Sequence, residues 1–249
     1  VSISDNCATA PSATQTPASG STVSGVGSTT VTLTANDGNG NTATCSFSVT
    51  RTDITSPSIT CPATQTLALN ASCTASLPQY SPASIADNCS TPALSQAPAL
   101  GVVVTGVGNT TVTLTANDGN GNTASCSFTV NRVDNIAPTI TCPAAQTIAL
   151  NANCSATLPA YNAVSSADNC GTPSVSQLPA SGSTVSGVGS TTVTLTANDG
   201  HGNTTTCSFT VNRIDNIAPT VTCPANQALT LGTSCTATLP AYSPVSSAD

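Results

Sequence analysis

The chain of 249 residues has no lysine, glutamate, tryptophan or methionine, and only three phenylalanines and three tyrosines. Basic and titratable groups are equally scarce, with three arginines and one histidine against ten aspartates. Each shortage excludes something. A formal net charge of −7 without a basic cluster lacks the electrostatic footprint of a nucleic-acid or anionic-lipid binder. No apolar run approaches membrane-spanning length, so no membrane insertion is expected. His201, the lone histidine, stands in a polar turn with no partner set for catalysis, and the reading is not an enzyme. Few large side chains remain to fill a core, and no helix is signalled.

What the sequence does have is a period. VGSTTVTLTANDGHGNTTTCSFTVNRID, residues 188–215, recurs in near-copies at 26–53 and 107–134, 81 residues apart. A fixed period of this size marks an array of structural units. In the stretch, Val193, Leu195 and Ala197 alternate with threonines, and Cys207, Phe209 and Val211 with polar residues. Both halves read as half-buried strands. Asp199-Gly200-His201-Gly202-Asn203 supplies the glycines and short polar side chains of a tight connection. The threonine rows, such as Thr192, Thr194 and Thr196, suit the solvent face of a strand.

Around this hairpin the rest of a unit is punctuated by Pro, Asn and Gly. In residues 136–216 a short strand is expected after Pro138. Gln146–Leu150 and Ser155–Leu158 read as a hairpin around the Asn151–Asn153 turn, Tyr161 as an aromatic anchor, and Ser174–Gln177 as a further strand. The expected class is all-β, in tandem antiparallel immunoglobulin-like β-sandwich modules with a period of about 81 residues. Two complete modules are placed at 54–135 and 136–216, with the C-terminal part of a module at 1–53 and the N-terminal part of another at 217–249. The chain reads as a window of a longer array, a piece of a larger exported protein with no recognisable signal peptide. The alternative is a subunit whose two ends complete each other between neighbouring copies.

Twelve cysteines, four per period and none in a CxxC pair, point to a disulfide framework and an oxidising, extracellular compartment. Modules this small with so few aromatics need such cross-links. Four cysteines per module allow three pairings, and the sequence itself does not choose.

Five motifs in fixed order carry a family resemblance. They are Val-Gly before the hairpin, the Ala-Asn-Asp-Gly-x-Gly-Asn loop, the Cys-Ser-Phe-x-Val strand, Ala-Pro-Thr-Ile-Thr-Cys-Pro at 137–143, and Asp-Asn-Cys at 168–170. Together they resemble the hyalin repeat family of extracellular, adhesive proteins, over the whole chain. The resemblance implies disulfides Cys142–Cys207 and Cys61–Cys126, and with them Cys154–Cys170 and Cys73–Cys89. The pairing of Cys142 with Cys170 and of Cys154 with Cys207 stays open, because Cys154 follows a turn expected at the pole opposite Cys170. Cys7, Cys45, Cys223 and Cys235 are expected to find partners beyond this window or in a neighbouring copy.

All thirteen charged residues fall on four positions of the repeat, among them Asp5, Asp87, Asp168 and Asp249. The loops at Asp37, at Asp118-x-Asn120-x-Asn122 and at Asp199-x-His201-x-Asn203 offer ligands at alternate positions, in the manner of a calcium loop but without its closing glutamate. In an immunoglobulin-like topology this loop, the Asp-Asn-Cys loop and the linker aspartate share one pole. Asp53, Asp87 and Asp118 are therefore expected to converge at one module junction, and Asp134, Asp168 and Asp199 at the next. Three carboxylates repel one another unless a cation joins them, and calcium is the expected cofactor. The competing role for these aspartates is to cap turns, with Arg132 paired to Asp134.

These features describe a structural, non-catalytic stalk or filament segment of a long secreted or surface-attached protein, with neighbouring repeats as its partners. The alternative is a multivalent array that binds glycan or protein. A nearly uncharged surface with open sheet edges also favours self-association into filaments.

Overall fold

The computed structural model describes residues 1–7, 11–243 and the backbone of 246–248, so Asp249 lies outside the described residues. Among them every regular element is a strand. The chain divides into two compact units, residues 1–67 with 74–132, and residues 68–73 with 133–249.

The first unit opens with β1 (Ser12–Thr16), β2 (Gly27–Asn36) and β3 (Thr42–Arg51), an antiparallel sheet in that order. It continues through β4 (Ser58–Thr60), β5 (Gln65–Ala68), β6 (Thr74–Ser76), β7 (Ser84–Ala86) and β8 (Ala93–Ala97). β9 (Val103–Thr105), β10 (Gly108–Asn117) and β11 (Thr123–Val133) complete it. One layer is the sheet β5-β11-β10-β8, and the pairs β4–β7 and β6–β9 form the other. Leu77, Tyr80, Val112, Leu114, Phe128 and Val130 fill the space between, joined by Ile59 from β4 and Val104 from β9.

In the second unit β12 (Thr139–Thr141) pairs with β15 (Ser165–Ala167), and β14 (Ser155–Thr157) with β17 (Thr184–Ser186). Opposite them lies the sheet of β13 (Gln146–Ala149), β19 (Thr204–Ile214), β18 (Gly189–Asn198) and β16 (Ser174–Leu178), in that spatial order. β20 (Thr220–Thr222) and β21 (Ser246–Ala248) form a separate antiparallel pair. This is the tandem immunoglobulin-like β-sandwich read from the sequence, with eight strands to each full module.

The β18–β19 hairpin owes its register to alternation. Val193 faces Phe209 and Leu195 faces Cys207 across the ladder, and all four lie in or against the core. On the outer face Thr194 and Ser208 share a hydroxyl–hydroxyl bond of 2.9 Å, repeated by Thr113 and Ser127 at 2.8 Å. The threonine rows therefore serve the solvent side of the sheet. Tyr161 stands edge-on to Phe209 with ring centroids 5.0 Å apart, as Tyr80 does to Phe128 at 5.1 Å. The main chain of Tyr161 is held too, its N–H donating to Gln177 Oε1 at 2.8 Å.

Two local expectations are corrected. Gln146–Leu150 and Ser155–Leu158 do not form a hairpin. The turn between them closes, with the Cys154 amide donating to Asn151 O at 2.8 Å, but β13 joins β19 in one layer and β14 joins β17 in the other. The β13–β19 pairing is also parallel, which needs a long crossover and is met because the chain crosses the sandwich several times between them.

The disulfides correct the pairing scheme in part. Cys61–Cys126 and Cys142–Cys207 form across the two layers, each with Cα atoms 5.7 Å apart and packed against a core. Cys73 bonds Cys170 instead of Cys89, and Cys89 and Cys154 are free thiols. The two cysteines of one repeat keep different company, which is why they do not meet. Cys73 ends the Asn70–Cys73 turn, whose Asn70 carbonyl accepts from Asn169 Nδ2 at 3.2 Å beside Cys170. Cys89 follows Asn88, whose amide instead reaches Asp53.

Each arginine clasps its own repeat. Arg213 donates to the carbonyls of Ser186 at 2.7 Å and Ser190 at 3.4 Å, and Arg132 donates to those of Thr105 and Asn109. Backbone carbonyls, not Asp134, are its partners among the described residues. The guanidinium lies over Gly189, whose φ is +146° and where an added Cβ would stand 3.0 Å from Arg213 Nη2. Gly189→Ala should therefore destabilise the second unit by about 1–2 kcal/mol in urea denaturation, through both backbone strain and displacement of the clasp. Unchanged stability would show that the clasp carries no load.

Candidate metal centre

Asp118 begins the polar loop between β10 and β11. Its Oδ1 accepts the amides of Asn120 at 2.8 Å and Asn122 at 3.0 Å, and its Oδ2 accepts Asn122 Nδ2 at 2.6 Å. The Asp199 loop repeats these bonds with His201 and Asn203, and the Asp37 loop repeats them with Asn39 and Asn41. This geometry is built into the loop sequence, and turn capping accounts for it.

Burial pushes the Asp118 carboxyl up, but bonds from the Asn122 side chain and the Asn120 and Asn122 amides outweigh it, and the group ends below its ordinary value of 3.8. Asp199 is lowered by the same opposition, with the His201 amide and the Asn203 side chain offsetting burial. A carboxylate depressed in the folded state contributes stability that is complete above its unfolded value and is lost as pH falls through the folded one. Stability should thus be level from about pH 7 to 5 and fall below about pH 4, with a smaller acid loss in Asp118→Asn, as read by urea midpoints.

The linker aspartates differ from the loop ones. Asp53 is 8% exposed and Asp134 is 4% exposed. Asp53 Oδ1 accepts the Thr55 amide at 3.0 Å and Asn88 Nδ2 at 3.4 Å, while its Oδ2 is buried without a partner. Asp87 Oδ2 accepts the amides of Cys89 and Ser90, both at 3.0 Å, and its Oδ1 is likewise buried and bare. Asp53, Asp87 and Asp118 each place a carboxylate oxygen within 4.8 Å of the other two. In the second unit the mutually close set is Asp134, Asp199 and His201. Asp168, expected there, is not part of that set, although its Oδ1 and Asp134 Oδ2 are also buried and bare.

Asn122 Nδ2 bridges Asp118 Oδ2 and the Asp53 carbonyl, the latter at 3.1 Å, and Asn203 Nδ2 bridges Asp199 and the Asp134 carbonyl in the same way. A neutral amide thus supplies the donors between oxygens that a cation would draw together. The first set is all oxygen, which suits a hard divalent ion such as calcium. His201 adds a nitrogen to the second and makes it more hospitable to zinc. Its approach to Asp134 was not readable from its place in a turn. The only hint is that it occupies the ligand position of Asn120 one period later.

The sequence profile of the HYR domain matches residues 1–51, 52–132 and 133–213. The chain belongs to the HYR domain family. No curated protein matches it in sequence. Solved structures similar to it include the EC1–3 fragment of protocadherin gamma C5, at 16% identity, TM-score 0.35, and coverage of 76% of this chain and 78% of that one. Protocadherin gamma B2 domains 1–5 match at 15% identity and TM-score 0.35 over 77% of this chain, which spans 46% of that fragment. The titin I-band fragment I67–I69 matches at 11% identity and TM-score 0.39, with 75% of each chain covered. HYR repeats closed by disulfides mark an extracellular repeat protein of adhesion type. Among the described residues no helix is long and apolar enough to cross a membrane.

Proposed function

We propose that this HYR array is a load-bearing stalk or filament segment of a secreted or surface-attached protein, non-catalytic, with modules at 54–135 and 136–216. The observation that carries this reading is the Cys73–Cys170 bond, 97 residues apart in sequence. It ties the Asn70–Cys73 turn of one HYR repeat to the Asp-Asn-Cys loop of the following one, so a covalent cross-link stands beside the linker peptide. Calcium at Asp53, Asp87, Asp118, Asn120 and Asn122 would then fix the first junction. At the second it would be held by Asp134, Asp199 and Asn203, with Asp168 and His201 alongside. Cation binding removes carboxylate repulsion from the place where a stalk would otherwise bend.

Single-molecule stretching of the oxidised chain tests this. The residues closed by Cys61–Cys126 and Cys142–Cys207, 65 in each, should release no length until reductant is added, after which about 430 Å more appears, at roughly 3.3–3.6 Å per residue. Full release from the oxidised chain at low force would overturn the stalk reading.

A further inference from the structure

The second carboxylate set is not a copy of the first. His201 stands where the other repeats have Asn39 and Asn120, and the Asp-Gly-x-Gly-Asn loops are otherwise identical. The exchange leaves the frame of the loop alone, because the bond made at this position comes from the main chain. The His201 amide donates to Asp199 Oδ1 at 2.8 Å, as the Asn120 amide does to Asp118 Oδ1 at 2.8 Å. What changes is the side chain on offer. His201 is exposed and places a ring nitrogen within 4.8 Å of carboxylate oxygens of Asp134 and Asp199, which lie within the same distance of each other. In the first set every atom offered is a carboxylate oxygen.

Asp134 is the buried anchor of the second set, at 4% exposed. Its Oδ1 accepts the Ile136 amide at 3.0 Å and Asn169 Nδ2 at 3.1 Å, while its Oδ2 is enclosed and accepts nothing among the described residues. Enclosing a carboxylate oxygen without a donor is costly. The neighbouring amides do not relieve it. Asn203 Nδ2 is taken by Asp199 Oδ2 and the Asp134 carbonyl, and Asn169 Nδ2 by Asp134 Oδ1 and the Asn70 carbonyl. A bound cation supplies the missing partner.

The ligand mixture says which cation. Calcium takes about six to eight oxygen donors, whereas imidazole nitrogen beside carboxylate oxygen suits zinc and its first-row neighbours. Zinc is also content with three protein ligands and one water. Bonds of about 2.0–2.1 Å in a tetrahedron set ligand atoms roughly 3.4 Å apart. Atoms already within 4.8 Å of one another need to close by no more than about 1.4 Å, which rotation of the exposed His201 side chain can supply.

We propose that Asp134, Asp199 and His201 bind zinc or a divalent ion of the same class, so that the two carboxylate sets of this chain select different cations. The proposal rests on the reading that the linker aspartates hold cations, and it narrows that reading. Where both metals are present, calcium occupies Asp53, Asp87 and Asp118, and zinc occupies the set that contains the histidine.

Two exchanges between the loops provide the controls. His201→Asn gives the second loop the sequence of the first, and Asn120→His does the reverse, each leaving the main-chain bond to its aspartate in place. The oxidised full chain, with its free thiols capped by iodoacetamide so that no thiolate competes, is titrated with zinc chloride under calorimetry and proton NMR. His201 is the lone histidine, so its imidazole resonances report this site alone. One zinc per chain is expected, with the His201 Hε1 and Hδ2 resonances moving up to one equivalent and staying moved in excess calcium. His201→Asn should weaken zinc binding by at least about a hundredfold, since even an outer partner of a metal ligand is worth up to that much. Asn120→His should take a second equivalent. Equal melting temperatures in chelator show that both variants are folded. Zinc bound equally by wild type and His201→Asn, imidazole resonances that do not move, or a single equivalent in Asn120→His would each overturn the proposal. Calcium binding that Asp53→Asn abolishes at the first set would then show that the calcium reading stands without it, and zinc bound without any calcium heat would fail the calcium reading alone.

Discussion

Removing the Cys142–Cys207 bond, by Cys142→Ala with Cys207→Ala, is expected to unfold the second unit's sandwich at 37 °C while leaving the first unit's intact. The bond closes 65 residues, and loop-closure entropy for a loop of that size corresponds to about 4 kcal/mol in the unfolded state. The core it leans on is small. Leu158, Val193, Leu195, Phe209 and Val211 are its buried members, with Tyr161 and Ile148 at the margin. A module of this size has a total stability of the same order as the bond itself, so its loss leaves nothing in reserve. Circular dichroism and limited proteolysis of the double variant check this, with cleavage expected between 136 and 214. Resistance equal to wild type would mean that packing, not the cross-link, holds the module.

The second large effect is expected at Asp134, and its sign depends on calcium. Asp134→Asn keeps the acceptor oxygen that takes the Ile136 amide at 3.0 Å but removes the charge from a side chain that is almost fully buried. In chelator the variant should be at least as stable as wild type, because a buried carboxylate oxygen without a partner is costly. In calcium the order should reverse. Wild type gains stability as RT ln(1 + [L]/Kd), about 2.7 kcal/mol at a hundredfold excess over Kd, and the variant should lose nearly all of it at that site. Thermal melts in chelator and in calcium read both arms. A variant less stable than wild type in both, by the same amount, would assign Asp134 to linker capping alone.

Much of this was legible in the sequence because the repeat displays its own alignment. The alternation in Val193–Ala197 and Cys207–Val211 fixed the hairpin, and the expected immunoglobulin-like topology put Asp53, Asp87 and Asp118 at one pole, where each has a carboxylate oxygen within 4.8 Å of the other two. What failed to show has a common cause. A near-perfect repeat cannot say whether Cys170 bonds a cysteine of its own repeat or the same cysteine one period earlier, since both readings use identical local sequence. Only the three-dimensional placement of the Asn70–Cys73 turn beside Asn169 decides it. The Gln146–Leu158 region misled for a related reason. A tight Asn turn between two apolar runs looks alike whether the runs pair with each other or part to opposite layers. His201 and Asp168 exchange places in the second carboxylate set because distances of a few ångströms among loop side chains leave no trace in spacing.

Calorimetric titration of the oxidised full chain with calcium tests the cation-clamped junction most directly. Saturable binding at two sites per chain, reduced to one by Asp53→Asn or by Asp134→Asn and unaffected by Asp37→Asn, is the predicted result. Asp37 is the control because its loop has the same internal bonds as those of Asp118 and Asp199 but stands in no close carboxylate set among the described residues. No heat of binding up to millimolar calcium, or binding lost equally in the Asp37 variant, would contradict it and return every aspartate to the capping of turns.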